Sequence, residues 1–102
     1  MSRIYIAGPM SGLPNHNYPE FHLVAEALRK EGREVLSPHE IDGGSTDRGW
    51  VWYMREALKM LLSCDEIVLL DGWQHSRGAQ IERGLAETLE MPVSEWLQRG
   101  AS

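Results

Sequence analysis

The chain has 102 residues, 42% of them apolar and 25% charged, with 10 basic against 15 acidic side chains. That size and mixture describe one soluble globular domain over residues 1–102, long enough to build a core without metals or disulfides. The net charge of −5 argues against a DNA or RNA backbone binder, which needs clustered Lys and Arg, but not against a small anion held by a few local donors.

Ile4, Tyr5, Ile6 and Ala7 form a short apolar run ended by Gly8-Pro9, which predicts a buried strand. Residues 8–18 carry further Gly and Pro breakers without periodicity and predict a long loop, of a length that is usually functional or disordered. Pro19 suits the first turn of a helix, and Phe21, Val24, Ala25 and Leu28 give it one apolar face up to the stop at Gly32. Val35-Leu36 is a minimal second strand, and residues 41–49 are a Gly/Ser/Asp-rich loop. Val51, Met54, Leu58, Leu61 and Leu62 mark a second helix, and Ile67 to Leu70, apolar on both faces, a central parallel strand. Residues 71–77 are a third loop. Ile81, Leu85, Thr88 and Leu89 mark a third helix; Met91 to Val93 supply a last strand, with Trp96 and Leu97 beyond it.

The order β-α-β-α-β-α-β implies an α/β fold: an open, mostly parallel sheet of four to five strands with helices on both faces, Rossmann-like or flavodoxin-like. Ligands of such sheets sit outside the carboxyl ends of the strands, where residues 8–18, 37–49 and 71–77 converge.

Cys64 is the only cysteine, which excludes an intramolecular disulfide and suits a reducing compartment. No apolar run approaches the ~20 residues of a membrane span, and the opening Met-Ser-Arg-Ile-Tyr-Ile lacks a signal-peptide layout. The expectation is a cytoplasmic protein with no membrane partner. His16, His22, His39 and His75 show no ligand spacing, so no metal and no cofactor is expected. His16, His39 and His75 fall in loops that face the predicted site, His22 on a solvated helix face. Trp50, Trp52, Tyr53 and Trp73 cluster around the second helix; they could stack a flat ligand, but subunit contacts are the commoner use of such a cluster.

The segment from Asp71 to Glu82 is the most informative. It runs from a buried strand into a helix whose first-turn N–H groups, with the Ser76 hydroxyl and the Arg77 guanidinium, can hold an anion. Equally, Ser76 is an N-cap, and Gly78 and Ala79 serve close packing. Glu82 lies where its carboxylate can look into the same crevice. Gly8 and Pro9 let backbone approach a ligand or simply end a strand, and Met10 and Ser11 follow them into the loop. Asp71, at the rim, can orient a ligand or a neighbouring donor, or is an ordinary turn residue.

The Ile-Tyr-Ile-Ala-Gly-Pro-Met opening and the Ser-Arg-Gly-Ala-Gln-Ile-Glu stretch resemble the nucleoside 2-deoxyribosyltransferase superfamily, in particular its small bacterial and phage branch, and are similar also to the 2′-deoxynucleoside 5′-monophosphate N-hydrolases. The resemblance covers Arg3 to Val93. It implies cleavage of an N-glycosidic bond by a Glu nucleophile placed six residues after the residue that holds the sugar's 5′ end, here Glu82 after Ser76. It implies that Tyr5 positions that carboxylate and that an acid on the second helix, here Glu56 in place of an Asp, protonates the leaving base. A Ser rather than an Asp at the 5′ end favours a monophosphate, since Ser76 and Arg77 can donate to phosphate where an Asp would repel it. Gly8, Pro9, Met10, Ser11, Asp71 and Gly78 complete the substrate site implied. The implied partners are a small nucleotide or nucleoside and further copies of the chain, because little C-terminal sequence is left to close the pocket. A non-catalytic nucleotide-binding module of the same fold is the alternative.

Overall fold

The computed structural model describes residues 2–44 and 48–96; Leu97 and residues 45–47 of the second loop lie outside the described residues. Four strands, β1 (Arg3–Ala7), β2 (Glu34–Leu36), β3 (Glu66–Leu69) and β4 (Val93–Glu95), form one sheet in the order β2-β1-β3-β4 with every pairing parallel. The helices are α1 (Tyr18–Lys30), α2 (Trp50–Leu62) and α3 (Arg77–Thr88). This is the α/β architecture expected, with four strands among the described residues.

Strand alternation divides the core. Ile4, Ile6, Val68 and Leu70 point to one face and pack on Phe21, Val24, Ala25 and Leu28 of α1, the apolar face expected of that helix. Tyr5, Ala7, Ile67 and Leu69 point to the other face, under Ala57 and Leu61 of α2 and Ala79 and Ala86 of α3. Both central strands are therefore buried on both faces, as parallel strands under crossover helices must be.

The structure corrects the third helix. Its buried residues are Ala79, Glu82 and Ala86, whereas Ile81 is 41% and Leu89 49% exposed. Small side chains let this helix lie close to the sheet, so the inward face is not the one with the largest apolar residues. Val51 and Leu62 of α2 are likewise exposed. The last strand starts later than expected: Pro92 lacks an N–H and supplies only its carbonyl, to Ile67 N at 3.0 Å, so the paired segment runs on to Glu95. The three expected loops contain short 3₁₀ turns at Pro14–Asn17, Pro38–Gly44 and Trp73–His75.

Two ties fix the loops around the strand ends. Arg29 of α1 donates to both carboxylate oxygens of Glu40, at 2.8 and 3.1 Å, and to the Val35 carbonyl at 2.9 Å, fastening the turn after β2. Asn17 Nδ2 donates to the Pro9 carbonyl at 2.9 Å, pinning the loop after β1.

Gly8 owes its identity to packing: a Cβ there would stand 2.7 Å from Leu70 Cβ. Gly8→Ala should lower stability by about 1–3 kcal/mol in chemical denaturation, the usual cost of overpacking a core. Gly84 lies inside α3, and a Cβ added there would meet nothing within 4 Å, so Gly84→Ala should gain about 0.5–1 kcal/mol. Equal responses of the two variants would contradict the contact.

Candidate active site

A cavity of about 500 Å³ opens at the carboxyl ends of β1 and β3, within the range of small-molecule sites. Its walls come from the loop after β1, the turn after β2, one face of α2 and the first turns of α3.

Glu82 lines the cavity although it is only 5% exposed. Tyr5, fully buried in β1, donates its hydroxyl to Glu82 Oε2 in a very short hydrogen bond. Burial pushes the Glu82 carboxyl up to about 8; the Tyr5 hydrogen bond opposes the shift without overcoming it. Burial, and then the neighbouring Glu82, raise the Tyr5 hydroxyl well above its ordinary value. A carboxylic acid and a phenol thus share one proton-rich position at the cavity floor.

At the mouth, Ser76 is the N-cap of α3: its Oγ accepts from Ala79 N at 3.1 Å. The capping role open to Ser76 from the sequence is therefore real, and it leaves the hydroxyl proton pointing elsewhere. The first-turn N–H groups of Arg77 and Gly78 have no intrahelical acceptor. Arg77 lies over the Trp50 ring, 4.6 Å from its centroid, which anchors the guanidinium beside the opening. Gly78 is required by a neighbour, since a Cβ there would meet Met54 Sδ at 3.0 Å. The α2–α3 contact at this point closes one side of the cavity.

Gly8, Pro9, Met10 and Ser11 all line the cavity, as do His16 and His75. Asn15, His16 and Asn17 adopt left-handed backbone in succession, with φ of 52°, 54° and 60°, a costly run for non-glycine residues.

Two expected residues are not brought to the site. Glu56 is not among the lining residues; it pairs with Lys59 at 2.8 Å. The cavity-facing positions of α2 are Trp50, Tyr53, Met54 and Ala57, and Glu56 sits about 100° round the helix from Ala57. Asp71 is exposed and outside the lining, in the turn that follows the end of β3. Of the loop histidines, His39 also misses the cavity; its Nδ1 lies 2.5 Å from Ser37 Oγ, against the Tyr18 and Phe21 rings.

Tyr18, Pro38, Ile41 and Arg48 line the cavity from the loops expected to converge there, though sequence reasoning did not single them out, and it did not expect Met54 or Ala57 of α2 at the site. Arg48 had a detectable signal, a basic side chain within a predicted site-facing loop; it stacks over Trp52 at 4.7 Å. Cys64 is buried, donates to the Met60 carbonyl at 3.4 Å and has its thiol pushed up to about 11, mainly by burial. No group of three or more candidate metal ligands occurs among the described residues.

The fold is that of the 2-deoxyribosyltransferases. The enzyme of the psychrotolerant bacterium Bacillus psychrosaccharolyticus superposes with a TM-score of 0.72 at 21% identity, over 92% of this chain and 71% of that one. The 2-deoxyribosyltransferase of Leishmania mexicana superposes with a TM-score of 0.71 at 23% identity, over 93% of this chain and 63% of that one. The chain itself belongs to the family described as a domain of unknown function, DUF4406, whose model matches residues 2–95. None of the curated proteins matches the sequence. No helix among the described residues is long and apolar enough to cross a membrane.

The Glu82 environment predicts a pH-dependent stability. The folded chain holds the proton to about 8, whereas an unperturbed carboxyl releases it near 4.5, so between those values the folded state binds more protons. Stability should therefore fall as pH rises through that window, and Glu82→Gln should remove the Glu82 part of the slope. Denaturant midpoints measured across the window check this; identical slopes in the two proteins would contradict it.

Proposed function

We propose that the protein cleaves the N-glycosidic bond of a 2′-deoxynucleoside 5′-monophosphate, with Glu82 as nucleophile. One observation carries the reading: a buried carboxyl at the floor of a nucleotide-sized cavity, hydrogen-bonded by Tyr5.

Glu82, once ionised, attacks the anomeric carbon. The bond from that carbon to the base nitrogen breaks, its electron pair leaving with the base, and a glycosyl ester forms on Glu82. Water then attacks the same carbon: its oxygen bonds to the sugar, the ester bond to Glu82 breaks and frees the carboxylate, and the proton that water loses balances the one the departed base takes up; a second base in place of water completes a transfer. Tyr5 holds one carboxylate oxygen, which aims the other at the sugar. Ser76, Arg77 and the N–H groups of the first α3 turn receive the 5′-phosphate, and the backbone of Gly8 to Ser11 forms the facing wall. The similarity in fold to 2-deoxyribosyltransferases supports this reading.

A second reading, nucleotide binding without turnover, is favoured by one observation. Glu56 stands outside the cavity, so α2 brings no carboxyl to protonate a departing base. Incubation with a panel of deoxynucleosides and their 5′-monophosphates separates the two. Free base should appear from monophosphates and be lost, by at least ~10²-fold, in Glu82→Ala. Binding without base release selects the second reading. Ser76→Asp should shift preference towards free nucleosides; an unchanged preference would remove the phosphate assignment.

The rate should also depend on Glu82 ionisation. kcat/KM should rise with pH and level off above about 8, where the buried carboxyl has lost its proton. A profile already flat at about pH 6 would contradict a buried nucleophile. Assembly into a homo-oligomer belongs to the same proposal, supported by the exposed apolar residues Val51 and Leu62 of α2 and Ile81 and Leu89 of α3. Sedimentation at a monomer's mass would contradict it.

A further inference from the structure

Arginines elsewhere on this chain are held by acids. Arg3 pairs with Glu34, Arg29 with Glu40 and Arg33 with Glu66, at 3.0, 2.8 and 2.9 Å. Arg83, which also lies over a tryptophan ring, pairs with Glu87. Arg77 differs. Among the described residues its guanidinium has neither an acid nor a hydrogen-bond acceptor, and the Trp50 ring alone holds it, 4.6 Å from the ring centroid. An aromatic face attracts a cation without neutralising it and takes up none of its N–H donors. Arg77 is thus fixed with its charge and its donors unused.

Helix register sets this contact. Trp50 and Met54 stand four residues apart on one face of α2, and they meet Arg77 and Gly78, the first two residues of α3. Because Gly78 has no Cβ to hold Met54 off, the two helices lie close enough for the indole to reach the guanidinium. Trp50 and Arg77 both line the cavity, beside Ser76. Among the described lining residues the only carboxyl is Glu82, which keeps its proton to about 8. At neutral pH nothing negative in that lining competes for the guanidinium.

Resting on the phosphate assignment above, we propose that Trp50 is a positioning residue: it holds Arg77 ready for a 5′-phosphate and so sets the preference for nucleotides over nucleosides. A loose arginine loses rotamer freedom when it takes an anion, and one already held by an indole loses less. That difference is felt only by a ligand that carries the anion. Trp50 is 39% exposed, so its grip is that of a partly solvated cation–π pair, a few-fold in affinity.

Titration calorimetry tests this in a Glu82→Gln background, which stops turnover. It compares the four common 2′-deoxynucleoside 5′-monophosphates with the matching nucleosides. Trp50→Leu should weaken the monophosphates about three- to fivefold and the nucleosides not at all. Trp50→Phe keeps an aromatic face and should recover most of that loss. Arg77→Gln should weaken the monophosphates about tenfold or more, and adding Trp50→Leu to it should cost nothing further. A tryptophan that merely packs would show no such dependence on Arg77. Equal weakening of both ligand classes by Trp50→Leu overturns the proposal, as do additive effects of the two substitutions or no recovery in Trp50→Phe. Monophosphates that bind the parent no better than nucleosides would overturn it together with the phosphate assignment. Selective weakening that depends on Arg77, in a protein that releases no base when Glu82 is present, would keep the role of Trp50 and overturn bond cleavage instead.

Discussion

Everything at this site depends on a carboxyl kept out of water. Glu82 sits on a helix face otherwise made of alanines, above a sheet whose central strand offers it one hydroxyl. Moving a carboxylate into such a place is costly, so the group keeps its proton to about 8. A chain retains an arrangement this unfavourable to an acid only if the fold around it is well determined, and β1, buried on both faces, supplies that rigidity. In the nucleophilic role proposed for Glu82, the same burial would serve chemistry: a carboxylate stripped of solvent has no hydration shell to shed, and a positive charge developing on a sugar would favour its ionised form.

The parallel topology turns this one constraint into a pocket. With β1 and β3 adjacent, their carboxyl ends deliver the Gly8–Ser11 loop and the start of α3 to one crevice. The closeness of the walls is set by residues without side chains. Gly8 accommodates Leu70, and Gly78 accommodates Met54; a methyl at either place would push a wall outward. Arginine–tryptophan stacks at Arg48, Arg77 and Arg83 hold cations in fixed positions on the surface of α2, α3 and the Trp73–His75 turn. Arg48 and Arg77 reach the cavity, which gives an acidic chain a locally basic mouth.

The fold is legible in the sequence because the strands are short apolar runs with unambiguous stops and α1 has a regular apolar face. The third helix is not, for a physical reason: periodicity weights large apolar residues, while a helix pressed on a sheet beside a buried acid turns alanines inward and leaves Ile81 and Leu89 outside. At the site, Ser76, Arg77 and the loop after β1 can be placed from their position at strand ends. Glu82 and Tyr5 can be paired only through the family resemblance, since nothing in their spacing, 77 residues apart, indicates contact. Glu56 misses the cavity by a single step of helix phase, the kind of offset that a rotation of about 100° per residue makes decisive. Trp50 is visible in the sequence only as one of a group of aromatic residues, because its contact with Arg77 is a property of packing and not of sequence.

The most direct test of a buried, protonated acid beneath the cavity is a carbon-13 NMR titration of the Glu82 side-chain carboxyl in the free protein. The account predicts a midpoint near 8. A midpoint near 4.5, the value of an unperturbed glutamate, would show a carboxylate in contact with water and contradict it.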